Sequence, residues 1–351
     1  MSLQDQFLQT LFSVSKGGVD VRLVASLQHD CIGFPDRLHV FVPDIHLLTR
    51  ERRAAFSYGT NYEGLLTDLV LKLKQFKSAA GASKVNVYQL GDLLDLWRQA
   101  PQLNPEQDVG AWIANDHQEL IGALFDGDLG MRFILGNHDF NLCRFPNFDA
   151  WTACAYLQDS AGNTPAIALH GHQFDWEQVA LEILPEPLKD ALVFLFAPIW
   201  PEGKRKLGEL IPLNEKVEAQ MAPHFSKYIQ PPQPAPLGST RPASESIPSR
   251  FNVQTGTGQI PNGMRYAVAA KELCQSLDQQ WNKKLNLAVI GHTHQARIAL
   301  LDDSKENFFA IVDCGAWIEQ YSTPEIEEPL LNAQIGVVGC NEARIYQLQT
   351  R

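Results

Sequence analysis

Apolar residues in this chain gather in short runs of four to six, and each run stops at a polar cluster rich in aspartate and histidine. Leu38 to Val42 leads into Asp44-Ile45-His46, and Val85 to Leu90 into Gly91-Asp92-Leu93-Leu94-Asp95. Met131 to Leu135 leads into Gly136-Asn137-His138-Asp139, and Ala166 to Leu169 into His170-Gly171-His172. Leu287 to Ile290 leads into Gly291-His292-Thr293-His294, and Phe308 to Val312 into Asp313-Cys314-Gly315-Ala316-Trp317. Continuous apolar runs of this length, bounded by glycine, read as buried strands. Between them the period changes. Tyr62 to Gln75 carries Leu65, Leu66, Leu69 and Leu73, with Phe76 following, at helical spacing. Ala111 to Phe125 reads as another helix, with Trp112, Ile113, Leu120, Ile121 and Leu124. Gln4 to Phe12 reads as a short helix and Val19 to Ser26 as a strand. Strand, cluster and helix alternate, which is the α/β pattern. In open α/β sheets ligands bind beyond the carboxyl ends of the strands.

The stretch between His172 and His292 breaks the pattern. It holds an apolar helix-like part (Val179 to Trp200), a charged part (Glu202 to Glu218) and a Pro/Ser/Gly-rich part. Met264 to Trp281 then reads as a helix. We divide the chain into a core of residues 1–172 and 286–351 and a cap insertion of residues 173–285. Composition predicts a mobile loop over residues 231–263. A cap here overhangs whatever the flanking histidines bind; a peripheral elaboration is the plainer alternative.

With 351 residues the chain can bury a large core, as one big domain or one domain with a cap. A formal charge of −11 argues against non-specific nucleic-acid binding, which needs a basic face. It does not argue against a phosphorylated substrate, because bound cations dominate the charge of such a site. The six cysteines are scattered, with no C-x-x-C pair, as expected of reduced thiols in a cytoplasmic protein. The N-terminus shows no signal-peptide pattern. The longest apolar run, Ala191 to Trp200, is shorter than the ~20 residues a transmembrane helix needs. We expect no transmembrane segment; that run suits a peripheral membrane contact or the lining of a cap.

Six of the ten histidines lie in the clusters, which points to a metal site assembled from many parts of the chain. The order D-x-H, G-D-x-x-D, G-N-H-D, H, G-H-x-H resembles the signature of the calcineurin-like metallophosphoesterases. Asp44/His46, Asp92/Asp95, Asn137/His138/Asp139, His170 and His292/His294 carry it. The resemblance implies a two-layer β-sandwich flanked by helices, an α/β/β/α arrangement, with a binuclear metal centre at one edge. It implies that Asp92 bridges two divalent ions, with Asp44, His46 and His294 on one and Asn137, His170 and His292 on the other. It implies that His138 faces the substrate, to stabilise phosphoryl oxygens or protonate the leaving alkoxide, and that Asp139 orients it. Asp95 supports this set from behind or favours a helix N-terminus. His172 reads as a neighbour of the site or a substrate contact. His29, His39, His117 and His224 carry no motif and read as surface or core residues, and Trp317 as core. Arg98, Arg144 and Lys204-Arg205-Lys206 are candidate phosphate contacts, the last more simply a solvated face.

Phosphate esters resist hydrolysis because negative oxygens shield the phosphorus. Two cations about 3.5–4 Å apart neutralise those oxygens, acidify a water and aim it for in-line attack. Imidazole with carboxylate suits manganese, iron, zinc or nickel better than magnesium or calcium; manganese is the first candidate. Glycine beside the clusters permits tight turns that aim ligands inward. The reading is a hydrolase cleaving a phosphate ester or pyrophosphate bond in a small substrate, nucleotide- or lipid-linked. Leu90 to Asp95, Asn137 to Phe140 and Cys314 to Trp317 are also similar to the UDP-2,3-diacylglucosamine hydrolase branch of lipid A synthesis. That branch usually has arginine where this chain has His138. Protein phosphatases of the superfamily carry G-D-x-V-D-R-G and G-N-H-E, which this chain does not. A catalytically idle scaffold is the remaining alternative; such scaffolds lose ligands, and none is missing here.

Overall fold

The computed structural model describes residues 2–14, 19–50, 63–95, 109–136, 138, 151, 152, 154–163, 165–172, 262–281, 284–302, 304, 306–320 and 330–350. The apolar runs form the middle of two sheets. In the first, the order is β1 (Val19–Gln28), β12 (Glu342–Thr350), β11 (Leu330–Gly339), β2 (Leu38–Val42), β3 (Val85–Gln89) and β4 (Arg132–Phe133). A short β10 (Trp317–Gln320) pairs with the start of β11. In the second sheet the order is β5 (Cys154–Leu157), β6 (Ala166–Leu169), β7 (Leu287–Ile290), β9 (Phe309–Asp313) and β8 (Arg297–Asp302). β2, β3 and β4 run parallel, as do β6, β7 and β9. The carboxyl end of every cluster-bearing strand is therefore brought to an edge of its sheet.

Successive residues of a strand face opposite sides, and here both sides are covered. Phe41, Tyr88 and Leu90 of the first sheet pack with Ala166, Ala168, Leu287, Val289 and Val312 of the second. Their neighbours Val40, Val42, Val85 and Val87 face outward onto helices α1 (Leu3–Phe12), α2 (Glu63–Ala80) and α4 (Gln118–Leu124), through Phe7, Leu66, Leu69, Leu73 and Leu120. Ile167, Ala288, Ile290 and Ile311 face outward onto α5 (Asn262–Trp281), through Ala267, Ala270, Leu273 and Leu277. The layers run α/β/β/α, the class expected from the sequence, and double coverage is why the strands read as unbroken apolar runs. The two edges are stitched together where the chain leaves β9 for β10. Ala316 bridges to Asp44, and the Trp317 N–H donates to the Asp44 carbonyl at 2.7 Å. Trp317 itself is buried in the outer core of the first sheet.

The structure departs from the sequence expectations in three places. The helix expected over Ala111 to Phe125 is two helices, α3 (Val109–Asp116) and α4, broken at His117. The His117 ring is fully buried, with Nε2 2.6 Å from the Leu48 carbonyl and Nδ1 3.0 Å from the Glu63 carboxylate. Second, β11 and β12 form a long hairpin that the sequence reading does not predict. Its turn is Cys340-Asn341, both with positive φ (51° and 60°), a two-residue turn whose twist matches the strands. Third, α5 falls within the span assigned to the cap but packs as the outer layer of the second sheet. The rest of that span, residues 173–261, lies outside the described residues, with the Ala191–Trp200 run, the Pro/Ser/Gly-rich stretch, His224 and the Lys204–Lys206 run. Arg98, Arg144, Asn137 and Asp139 lie outside them too. His39 is a buried core residue, Nδ1 3.3 Å from the Tyr88 hydroxyl, and His29 caps a 3-10 turn by accepting from the Cys31 N–H. Among the described residues, five cysteines are free and no helix is long and apolar enough to cross a membrane.

Candidate metal centre

The loops after these parallel strands are sharply bent. His46, Asp92, His292 and His294 all have left-handed backbone, with φ between 52° and 68°. Such conformations cost about 1–3 kcal/mol each in non-glycine residues and persist only where surroundings over-determine them. The bonds that do so are visible. Ile45 and His46 both donate backbone N–H groups to the Asp92 carbonyl, at 3.0 and 2.8 Å. The buried Gln89 side chain grips the Gly91 peptide on both edges, accepting from its N–H at 3.0 Å and donating to its carbonyl at 2.6 Å. The His292 N–H donates to the Asp44 carboxylate at 3.1 and 2.9 Å. The tight turns expected of glycine are met at Gly91, Gly171 and Gly315, with φ of 94°, 117° and 80°. Gly136 and Gly291 matter for space instead: a Cβ on Gly136 would collide with the Asp92 carboxylate and one on Gly291 with that of Asp44, and neither has positive φ.

Among the described residues three three-residue groups result, Asp44/His46/His294, Asp92/His170/His292 and His46/Asp95/His138, each with ligand atoms within 4.8 Å of one another. In the first, His46 Nε2 lies 3.1 Å from His294 Nε2, and His294 Nε2 3.1 Å from Asp44 Oδ2. In the second, His170 Nε2 lies 3.2 Å from His292 Nδ1 and 3.2 Å from Asp92 Oδ2. Asp92 Oδ2 also lies 3.6 Å from His46 Nε2, so one oxygen faces both groups. Donors about 2.1 Å from a common ion, roughly 90–109° apart, stand about 3.0–3.4 Å from each other. The spacing fits that arrangement.

The donor chemistry fits as well. His46 Nδ1 donates to Asp95 Oδ2 at 3.2 Å, and His170 Nδ1 to the Leu90 carbonyl at 2.7 Å. In the neutral rings those bonds leave a lone pair on each Nε2. Each Nε2 points at a nitrogen of another imidazole. Two lone pairs facing each other repel unless a cation or a proton lies between them. Burial, the largest single influence, works to raise Asp44 and Asp92, but the imidazoles together outweigh it: His170 and His294 hold Asp44 below the usual carboxylate range, and His170, His138 and His46 hold Asp92 well below it. Burial opposes a charge on His170 too, yet Asp92 and Asp44 raise it from 6.5 to about 10. Burial holds His46 below its usual value against the pull of Asp95. Buried carboxylates here demand positive charge, which protonated imidazole supplies when metal does not.

His138 stands beside these groups. Its N–H donates to Asp92 Oδ1 at 2.8 Å, and its ring Nδ1 lies 2.9 Å from Asp95 Oδ1. Asp95 is a carboxylate on this ring; Asp139, which the sequence reading named, lies outside the described residues. One carboxylate serves two imidazoles, His46 on Oδ2 and His138 on Oδ1. His172 is fully buried, its ring 5.4 Å from that of His170 and 6.3 Å from that of His292. The group opens toward solvent at His292 and His294, which are half-buried.

Two residues without a role in the sequence reading also bear on the site. Gln89 is a polar residue inside an apolar run, which is the signal that marks it. Asp313 ends a strand as the ligands do, and its Oδ2 accepts from the Thr293 hydroxyl at 2.5 Å and from Arg297 at 3.2 Å. Burial pushes Asp313 up to about 8, against the Thr293 and Arg297 donors.

No family model matches the chain, and no curated protein does. Among solved structures it is similar to a conserved uncharacterized protein from Streptococcus pneumoniae TIGR4, described as a predicted phosphoesterase, at 10% identity over 86% of this chain and 81% of that one, with a TM-score of 0.29. A likeness so distant carries no weight here; the layers and the site geometry do.

Proposed function

We propose that this chain is a metal-dependent phosphoesterase that hydrolyses a phosphate ester or pyrophosphate bond at a binuclear centre. One observation carries the reading: two Asp/His groups lie side by side, with Asp92 Oδ2 of one 3.6 Å from His46 Nε2 of the other, and each holds a pair of imidazole nitrogens 3.1–3.2 Å apart. Asp44, His46 and His294 would hold one ion; His170, His292 and Asn137 would hold the other; Asp92 would serve both. When bound, the two ions neutralise phosphoryl oxygens and acidify a water for in-line attack.

The chain's own residues supply the rest. Asp95 fixes the His46 tautomer with its metal-facing nitrogen free, the arrangement that orients a metal-binding imidazole. The same carboxylate stabilises a proton on His138, whose ring then hands a proton to the leaving alkoxide. The ligands lie buried, which strengthens each charge contact by excluding water. The substrate class that goes with this chemistry is a small phosphorylated compound, nucleotide- or lipid-linked. Manganese is the ion we assign first, from the mixed imidazole and carboxylate donors.

The test is hydrolysis of bis-p-nitrophenyl phosphate by the purified chain with manganese and with chelator, beside metal analysis. Turnover that needs about two ions per chain is expected. Tight binding of two ions without turnover on any phosphomonoester, phosphodiester or pyrophosphate would favour a metal-binding scaffold instead.

A further inference from the structure

We propose that Thr293 and Asp313 form one positioning unit that sets His292 and His294 together, and thereby governs both metal positions at once. The inference rests on the metal-centre reading above. Thr293 lies between the two histidines, one in each group. Both histidines have left-handed backbone, φ 68° and 57°, so the turn does not hold itself. The Thr293 hydroxyl holds it, beside the His292 N–H that donates to Asp44. The hydroxyl donates to Asp313 Oδ2 at 2.5 Å and accepts from the Gln295 N–H at 3.2 Å, while the Thr293 N–H donates to the Gly291 carbonyl at 2.8 Å. A hydroxyl has one proton, so giving it to Asp313 fixes the rotor.

Asp313 is a rigid anchor. It is 1% exposed and ends β9, an inner strand of the second sheet beside β7, whose end carries the two histidines. Arg297 of β8 approaches the same oxygen at 3.2 Å. Because His292 belongs to one group and His294 to the other, loosening one hydroxyl displaces a ligand of each ion. A defect at a single ligand would weaken one ion alone. Residues of this supporting kind are worth ten- to hundredfold in metal affinity when removed, as an order of magnitude.

The experiment is calorimetric titration of the chelator-stripped full chain with manganese chloride, for wild type, Thr293→Val, Thr293→Ser and Asp313→Asn. Valine keeps the shape of threonine and removes the hydroxyl. Both binding steps should weaken about ten- to hundredfold in Thr293→Val and in the same direction in Asp313→Asn. Thr293→Ser should restore them, and circular dichroism of the metal-free variants should match wild type. If Thr293→Val does not fold, the Asp313→Asn and Thr293→Ser titrations decide. Unchanged binding in Thr293→Val and Asp313→Asn overturns the inference, as does loss of one ion alone, or serine failing to rescue. A wild-type protein that binds no divalent ion overturns the metal reading, and this inference with it.

Discussion

Replacing Asp95 by asparagine is the most searching test of the site. The carboxylate has two oxygens and two imidazole partners: Oδ2 on His46 Nδ1 at 3.2 Å and Oδ1 on His138 Nδ1 at 2.9 Å. Asparagine keeps the shape but offers one oxygen and one NH2. The NH2 must face one of the two ring N–H groups. That leaves a buried donor unmet, about 1–3 kcal/mol, or forces the ring into the other tautomer. If His46 changes, its proton moves to Nε2, the atom 3.1 Å from His294 Nε2, and it can no longer bind an ion. Affinity at that position then falls ten- to hundredfold, about 1.4–2.7 kcal/mol. If His138 changes instead, it loses the partner that stabilises its proton, and turnover falls by up to about 10²–10⁴-fold.

Asp95→Asn should therefore lose either affinity for one ion or turnover at saturating metal, and it should still fold, because asparagine keeps the shape of the buried side chain. Calorimetric titration with manganese and bis-p-nitrophenyl phosphate kinetics on the same preparation separate the two losses. Wild-type values for both would refute the reasoning, since the two rings face different oxygens and an amide keeps only one of them.

Three further outcomes follow from the same geometry. His138→Ala should keep both ions by metal analysis and lose on the order of 10²–10⁴-fold in kcat; loss of an ion would show that the ring is a ligand. Metal affinity should strengthen as pH rises from 6 to 9, because His170, raised to about 10 by Asp92 and Asp44 against its burial, must give up a proton to bind; a flat profile would contradict this. Its sign for the metal-free fold is opposite, since a raised histidine stabilises fully below about 6.5 and that contribution is lost as pH climbs toward about 10. His39 is depressed to about 3 by burial, with Arg37 and Arg132 adding to it, so the unfolded chain takes up a proton that the folded chain refuses. Stability should fall between about pH 6.5 and 3, and urea unfolding of His39→Leu should show a shallower fall than wild type; equal slopes would count against it.

What the sequence made legible was local. Each cluster follows its own strand, so Asp44, Asp92, His170 and His292 announce themselves by position, and the apolar runs announce double coverage before any sheet is seen. The features it concealed depend on partners distant in the chain. Asp95 serves His46 and His138, which lie 49 and 43 residues from it, and no spacing rule pairs them. The break at His117 arises from contacts to Leu48 and Glu63, while the helical period runs straight through it. The β11–β12 hairpin turns on Cys340-Asn341, a pair without the glycine that usually marks such turns.

The division of labour between the sheets explains why the centre sits where it does. The first sheet supplies Asp44, His46, Asp92, Asp95 and His138; the second supplies His170, His292 and His294, with Asp313 behind them. Neither sheet alone completes either of the two groups that would hold the ions, since His294 must meet Asp44 and His46, and His170 and His292 must meet Asp92. The distance between the two groups is thus set by how the sheets pack, through Phe41, Tyr88 and Leu90 against Ala168, Val289 and Val312. Close-packed interiors resist small displacements, and the Ala316–Asp44 bridge pins the two edges directly beside the site. A volume change in that inter-sheet core would reach the candidate metal centre as a change in ligand spacing. The apolar runs and the polar clusters that end them are in this sense one device: the runs hold the sheets at a fixed separation, and the clusters use that separation as the measure of their site.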